Sequence, residues 1–177
     1  STGAANATLT AKANTAVTID VSGAKSDSKG FTLEGGTGSG ADILTGGAGL
    51  DIITGGAQID TITGNGGADT ISGGAGNDII TGGSGNDIIT IDVGTDKVLD
   101  LGGSGSGGES DVVVIEANAT LTATDVISFT ATSDTTNKST GAANATLTAK
   151  ANTAVTIDVS GAKSDSKGFT LEGGTGS

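Results

Sequence analysis

Residues 37–99 read TGSGADILT, GGAGLDIIT, GGAQIDTIT, GNGGADTIS, GGAGNDIIT, GGSGNDIIT and IDVGTDKVL, seven nonapeptides set end to end. An aspartate stands sixth in every unit: Asp42, Asp51, Asp60, Asp69, Asp78, Asp87 and Asp96. In the first six units a large aliphatic stands eighth (Leu44, Ile53, Ile62, Ile71, Ile80, Ile89) and glycines crowd the opening positions. Glycine reaches positive φ without steric cost, so the opening can turn sharply and bend its carbonyls inward. The three residues after each aspartate are short, apolar-centred and β-branched, which suits a brief strand. Because side chains alternate along a strand, the eighth-position aliphatic faces one way and its neighbours the other. Turn, strand, turn, strand then closes one coil of eighteen residues.

Calcium takes six to eight oxygen ligands from carboxylates and carbonyls, and this pattern supplies both at every turn. Over residues 37–99 the chain resembles the RTX (repeats-in-toxin) family of calcium-binding β-roll proteins, whose repeat is GGxGxDxUx. The resemblance implies ions held between successive coils by turn carbonyls and by aspartates eighteen residues apart. The implied pairs are Asp42–Asp60, Asp51–Asp69, Asp60–Asp78, Asp69–Asp87 and Asp78–Asp96, giving five calcium ions in two rows. The carbonyls implied lie in the turns around Gly38, Gly40, Gly47, Gly49, Gly56, Gly67, Gly74, Gly76, Gly83 and Gly85. A core of small aliphatics does not outweigh the ordering entropy of such a segment and the repulsion among its carboxylates, so metal binding is expected to drive folding.

Departures from the pattern carry their own expectations. Gln58 replaces a fourth-position glycine, which puts the geometry of that turn in question, whereas Asn65 at a second position tolerates left-handed backbone. Thr37 replaces the opening glycine of the first unit, and Ile91 and Asp92 replace both opening glycines of the last. The sites at both ends are therefore expected to be the weaker ones.

Composition narrows the function. The chain has no Cys, His, Trp, Tyr, Met, Pro or Arg. Lacking histidine, it cannot build a Ser-His-Asp triad or a common zinc site, and lacking cysteine it has neither thiol chemistry nor disulfides. It is read as a protein without enzymatic activity. Twenty acids against eight lysines leave a net charge of −12, which disfavours nucleic acid, whose phosphates seek a basic face. No stretch approaches the ~20 consecutive apolar residues of a membrane span. Calcium sites of this kind fill where free calcium is high, which points outside the cell. Residues 1–138 carry 17 acids and 5 lysines, so five bound calcium ions would bring them close to neutrality.

A second, longer repeat surrounds the first. Residues 139–177 copy residues 1–39 without one change, at an offset of 138, so the chain reads as a window on a longer array of tandem units. The flanks are rich in Thr, Ala and Val with alternating polarity, and strands are predicted at 111–116, 118–124, 126–132, 144–150, 154–160 and 168–171. In AVTIDVS, Val155, Ile157 and Val159 share one face, and Phe129 and Phe169 are the largest anchors. The expected fold is all-β: a parallel β-roll flanked by a small β-sandwich-like region. A calcium-free continuation of the solenoid is the alternative for the flanks. Residues 1–36 are read as the second half of a preceding strand module that needs partners from a neighbouring unit. The remaining parts are the roll (37–100), a Gly/Ser linker (101–110), a strand module bridging to the next unit (111–172) and the start of the next roll (173–177).

On the roll's outer faces, seventh positions (Ile43, Ile52, Thr61, Thr70, Ile79, Ile88) and ninth positions (Thr45, Thr54, Thr63, Ser72, Thr81, Thr90) point outward, and exposed isoleucines on a flat sheet mark a contact face. NAT at Asn6, Asn118 and Asn144 matches the glycosylation acceptor pattern but recurs by chance in a Thr-rich chain. The functional expectation is a calcium-binding structural repeat of a secreted surface-layer, filament or adhesin protein. Its partners are expected to be copies of itself. The alternative is the β-roll module of a secreted RTX enzyme, toxin or ligand-binding adhesin.

Overall fold

The computed structural model describes residues 7–11, 15–24, 29–101, 111–116, 119–126, 128–130, 136–137, 145–149, 156–158 and 169–172, and no helix occurs among them. The strands run in chain order β1 (Ala7–Thr10), β2 (Thr18–Asp20), β3 (Phe31–Glu34), β4 (Ile43–Thr45), β5 (Ile52–Ala57) and β6 (Thr61–Gly66). They continue with β7 (Thr70–Ala75), β8 (Ile79–Ser84), β9 (Ile88–Ile91), β10 (Gly94–Asp100), β11 (Val112–Ile115) and β12 (Ala119–Val126). Last come β13 (Ser128–Thr130), β14 (Thr136–Asn137), β15 (Ala145–Ala149), β16 (Thr156–Asp158) and β17 (Phe169–Glu172).

From β1 to β12 successive strands alternate between two parallel sheets, in the orders β1-β3-β5-β7-β9-β11-β14 and β17-β15-β12-β10-β8-β6-β4-β2, while β13 and β16 pair in a small parallel sheet of their own. The chain is thus a parallel β-solenoid. Within the nonapeptides the register repeats every eighteen residues, as in Ile52↔Thr70 and Thr61↔Ile79. It breaks between Val98 and Asp100, where the nonapeptide period ends.

The flanking strands do not fold into a sandwich. Apart from the β13–β16 pair, they extend the same two sheets, still parallel, by longer coils: Ala7 pairs Phe31, Val112 pairs Ile88, and Thr122 pairs Thr146, each 24 residues apart. Thr18 pairs Ile43 and Gly94 pairs Ala119, 25 residues apart. Residues 7–34 accordingly find their partners inside this chain, contrary to the sequence expectation, through β1–β3–β5 and β2–β4. Alternating polarity fits a sandwich strand and a solenoid strand equally well. Parallel stacking wins because it covers the open ends of the roll with strands of matching inward face.

Those inward faces form two unbroken aliphatic columns. One runs Leu33, Ile53, Ile71, Ile89, Val113, and the other Ile19, Leu44, Ile62, Ile80, Val98, Ala123, Leu147. All of these residues are buried. Val17, Val21, Phe31 and Phe169 pack against this core, so Phe169 is an anchor as expected. The side chains of Phe129, Val155, Ile157 and Val159, the three Asn-Ala-Thr asparagines, and residues 102–110 and 173–177 lie outside what the structure describes. Seventh positions are exposed and ninth positions mostly half-buried on the outer faces.

Candidate metal centre

Asp42, Asp51, Asp60, Asp69, Asp78 and Asp87 each immediately precede a roll strand, Asp96 lies within β10, and all seven side chains are buried at 0–1 % exposure. The sheet register brings together all five of the predicted pairs. The backbone N–H of Asp42 donates to Oδ1 of Asp60 at 2.7 Å, and that of Asp51 to Asp69 at 2.8 Å. The N–H groups of Asp60, Asp69 and Asp78 donate likewise to Asp78 at 2.8 Å, Asp87 at 2.8 Å and Asp96 at 3.0 Å. Two columns of carboxylates result, each oxygen Oδ1 held by the amide of the coil before.

One column member escaped the sequence reading. Asp111 is buried, and its Oδ1 accepts the N–H of Asp87 at 3.0 Å. It stands fifteen residues after Asp96, so a nine-residue ruler misses it. The available signal was local: Asp111-Val112-Val113 repeats the acid–apolar–apolar order of Asp78-Ile79-Ile80. Beyond the acids the columns close with apolar residues. Val17 and Phe31 donate their N–H groups to Asp42 and Asp51 at 2.8 and 2.6 Å, and Leu121 stands in register with Asp96.

The second carboxylate oxygens divide into two kinds. Oδ2 of Asp42 accepts from Gly36 N–H at 2.6 Å, and Oδ2 of Asp51 from Gly47 N–H at 2.7 Å. Oδ2 of Asp60, Asp69, Asp78 and Asp96 is buried with no hydrogen-bond partner. An ionised oxygen in that position is costly unless something compensates its charge. Burial pushes the carboxyls of Asp60 and Asp96 up to about 6 and that of Asp69 to about 7, and raises Asp78 as well; the amide from the preceding coil pulls each the other way, and neighbouring aspartates add to the rise.

Turn carbonyls stand around the same turns. A Cβ on any of the first-position glycines Gly46, Gly55 and Gly64 would strike both Oδ2 of Asp51, Asp60 or Asp69 and the carbonyl oxygen of Gly64, Gly73 or Gly82 from the next coil. Sequence reasoning named the second- and fourth-position glycines and missed these first-position ones. Of those it named, Gly56, Gly74 and Gly83 at second positions and Gly67, Gly76 and Gly85 at fourth positions adopt positive φ. Gly49, Gly56 and Gly67 turn their carbonyls onto Gly67, Gly74 and Gly85 of the next coil. The Gly47 carbonyl is instead bonded to Gly66 N–H. Both departures take up the turn conformation the consensus glycines use, Gln58 at φ 84° and Asn65 at φ 77°.

Among the described residues no three acidic side chains converge on one point. That suits a site with one or two carboxylates per ion, the remaining ligands being carbonyls. An all-oxygen donor set with buried, uncompensated carboxylate oxygens fits a hard divalent cation such as calcium. Comparison with known families agrees: the RTX calcium-binding nonapeptide repeat (4 copies) matches residues 32–62, 56–89 and 63–98. No curated protein and no solved structure matched the chain. Residues 32–98 are RTX-type repeats, and their match supports reading the β-roll as a calcium-binding structural repeat. RTX repeat proteins are typically secreted, and among the described residues no helix is long and apolar enough to cross a membrane.

Proposed function

We propose that this chain is a non-enzymatic building unit of a secreted surface-layer, filament or adhesin protein. Calcium folds and stiffens its roll, and copies of the unit associate. The observation that carries this reading is the continuity of the solenoid: metal-type coils and longer flanking coils share the same two sheets. An element of that shape can be extended coil by coil, and the verbatim repeat of residues 1–39 at 139–177 supplies the extension. About five ions per 138-residue unit, held by Asp42, Asp51, Asp60, Asp69, Asp78, Asp87 and Asp96, neutralise most of its charge and permit close packing. Exposed Ile43, Ile52, Ile79 and Ile88, with Thr61 and Thr70 between them in register, offer flat mixed Ile/Thr ladders for lateral contact.

Sedimentation of the protein in calcium and in excess chelator tests the proposal. Calcium-dependent oligomers together with calcium-dependent β-structure support it. A chain that folds with calcium yet stays monomeric at high concentration would favour a folding module of a larger secreted protein instead.

A further inference from the structure

Asp92 stands where the other units of the roll carry glycine or asparagine at the second position. Its Oδ2 accepts the Ser72 hydroxyl and, at 3.3 Å, the backbone N–H of Gly74. Gly74 is four residues ahead of Asp78, as Gly47 is ahead of Asp51. Gly47 N–H satisfies Oδ2 of its own aspartate at 2.7 Å. Gly74 N–H faces Asp92 instead, and Oδ2 of Asp78 stays buried and without a partner beside Gly73. Oδ2 of Asp96, one coil on, is likewise buried without a partner. Two unpartnered carboxylate oxygens and a third acid therefore gather at the last coil of this row.

We infer that Asp92 is a positioning residue that makes the Asp78–Asp96 site the tightest calcium site of the roll and the first to fill. The inference rests on the calcium reading proposed above. No three acids are close enough to share one ion, so Asp92 acts from just outside the ligand shell, where its charge attracts the cation. The same charge repels Asp78 and Asp96 when no metal is bound. Replacement of the opening glycines, which reads as a weakness in sequence, thus strengthens this end.

The decisive variant is Asp92→Asn, which keeps an acceptor for Ser72 and Gly74 and removes the charge. Calcium titration calorimetry on the full chain at low salt should show the first ion bound on the order of tenfold more weakly, with the number of ions unchanged. That gap should narrow in high salt, which screens the charge, and Asp92→Glu should restore the affinity. In chelator, the Asn variant should keep at least as much β-structure as the parent by circular dichroism, because a repulsion has been removed. Asp92→Gly, which restores the second-position residue of the neighbouring units, should lose the same affinity, and Asp20→Asn, a distant exposed acid, should lose none. Adding Asp92→Asn to Asp96→Asn should cost nothing further, since the site is already lost. An Asn variant that titrates like the parent overturns the inference. So does one that is weaker both with calcium and without it, the signature of a merely structural bracket. A parent chain that takes up no calcium would sink the calcium reading itself, an outcome distinct from either.

Discussion

Coils of eighteen residues and coils of 24 or 25 residues share the same two sheets and the same aliphatic columns, yet they are held by different chemistry. In the eighteen-residue coils an aspartate precedes every inward aliphatic, and its carboxylate lies buried between turns too tight to supply enough N–H donors. In three of the longer coils the same column position holds Val17, Phe31 or Leu121, and no carboxylate is there to compensate. The 24-residue coil that carries Asp111 is the exception. Short turns save chain length but leave charged oxygens that need a cation. Where the acid gives way to an apolar residue, the need for the metal goes with it.

Removing calcium should break this contrast most severely. In chelator, hydrogen exchange should accelerate across residues 43–99 far more than across β1, β3, β12 and β15; uniform loss or uniform retention of protection would erase the distinction between the two coil types. Next in size is Asp69→Asn. Asp69 belongs to two of the pairs, with Asp51 and with Asp87, whereas Asp42 belongs to one, so calorimetry should find more binding lost from the Asp69 variant than from Asp42→Asn.

Glycine substitutions sharpen the comparison at the level of sterics. A Cβ at Gly64 would strike both the Gly82 carbonyl and Oδ2 of Asp69, whereas one at Gly23 meets nothing within 4 Å. Gly64→Ala should therefore cost about 2–3 kcal/mol of calcium-loaded stability in denaturant melts, and Gly23→Ala close to nothing.

Acidity acts on the roll with a predictable sign. The carboxyls of Asp60, Asp69 and Asp96 sit at about 6, 7 and 6 in the folded chain, above the 3.8 of a free aspartate. Folding then takes up protons, so the calcium-free roll is most stable below about pH 4 and loses stability as pH rises through 6 to 7. Protons and calcium compete for the same oxygens, so calcium affinity should fall as pH drops across that window. Circular dichroism of the chelated protein between pH 4 and 8 checks the first statement, and calcium titration at pH 5.5 and 7.5 the second.

The smallest effect belongs to Gln58, a non-glycine residue at φ 84°. Gln58→Gly should raise stability by about 1 kcal/mol by relieving that backbone. Asn65→Gly, at φ 77°, should gain less, because asparagine accepts this conformation more readily.

Much of the roll was legible in the chain. A nine-residue period with one acid and one aliphatic per unit admits few foldings, since side-chain alternation sends Ile62 inward and leaves Thr61 outward without reference to anything distant. The aspartate pairs follow from the same arithmetic. The role of first-position glycines such as Gly64 was not legible, because a glycine needed for turning and a glycine needed for close approach look alike until the neighbouring coil is present. Nor was Asp111, whose place depends on how much chain intervenes before the next strand.

By itself, the sequence determined the period, the inward aliphatics from Leu44 to Ile89 and the oxygen-only chemistry of the turns, because each is a local consequence of residue type and spacing. Tertiary structure alone decided that the flanks stack as further coils, that Val17, Phe31 and Leu121 close the carboxylate columns, and that Asp92 faces the turn of Gly74. Those outcomes depend on which strands lie side by side. Alternating strands of similar polarity can pair in more than one way, and burial of the roll's open ends selects among them.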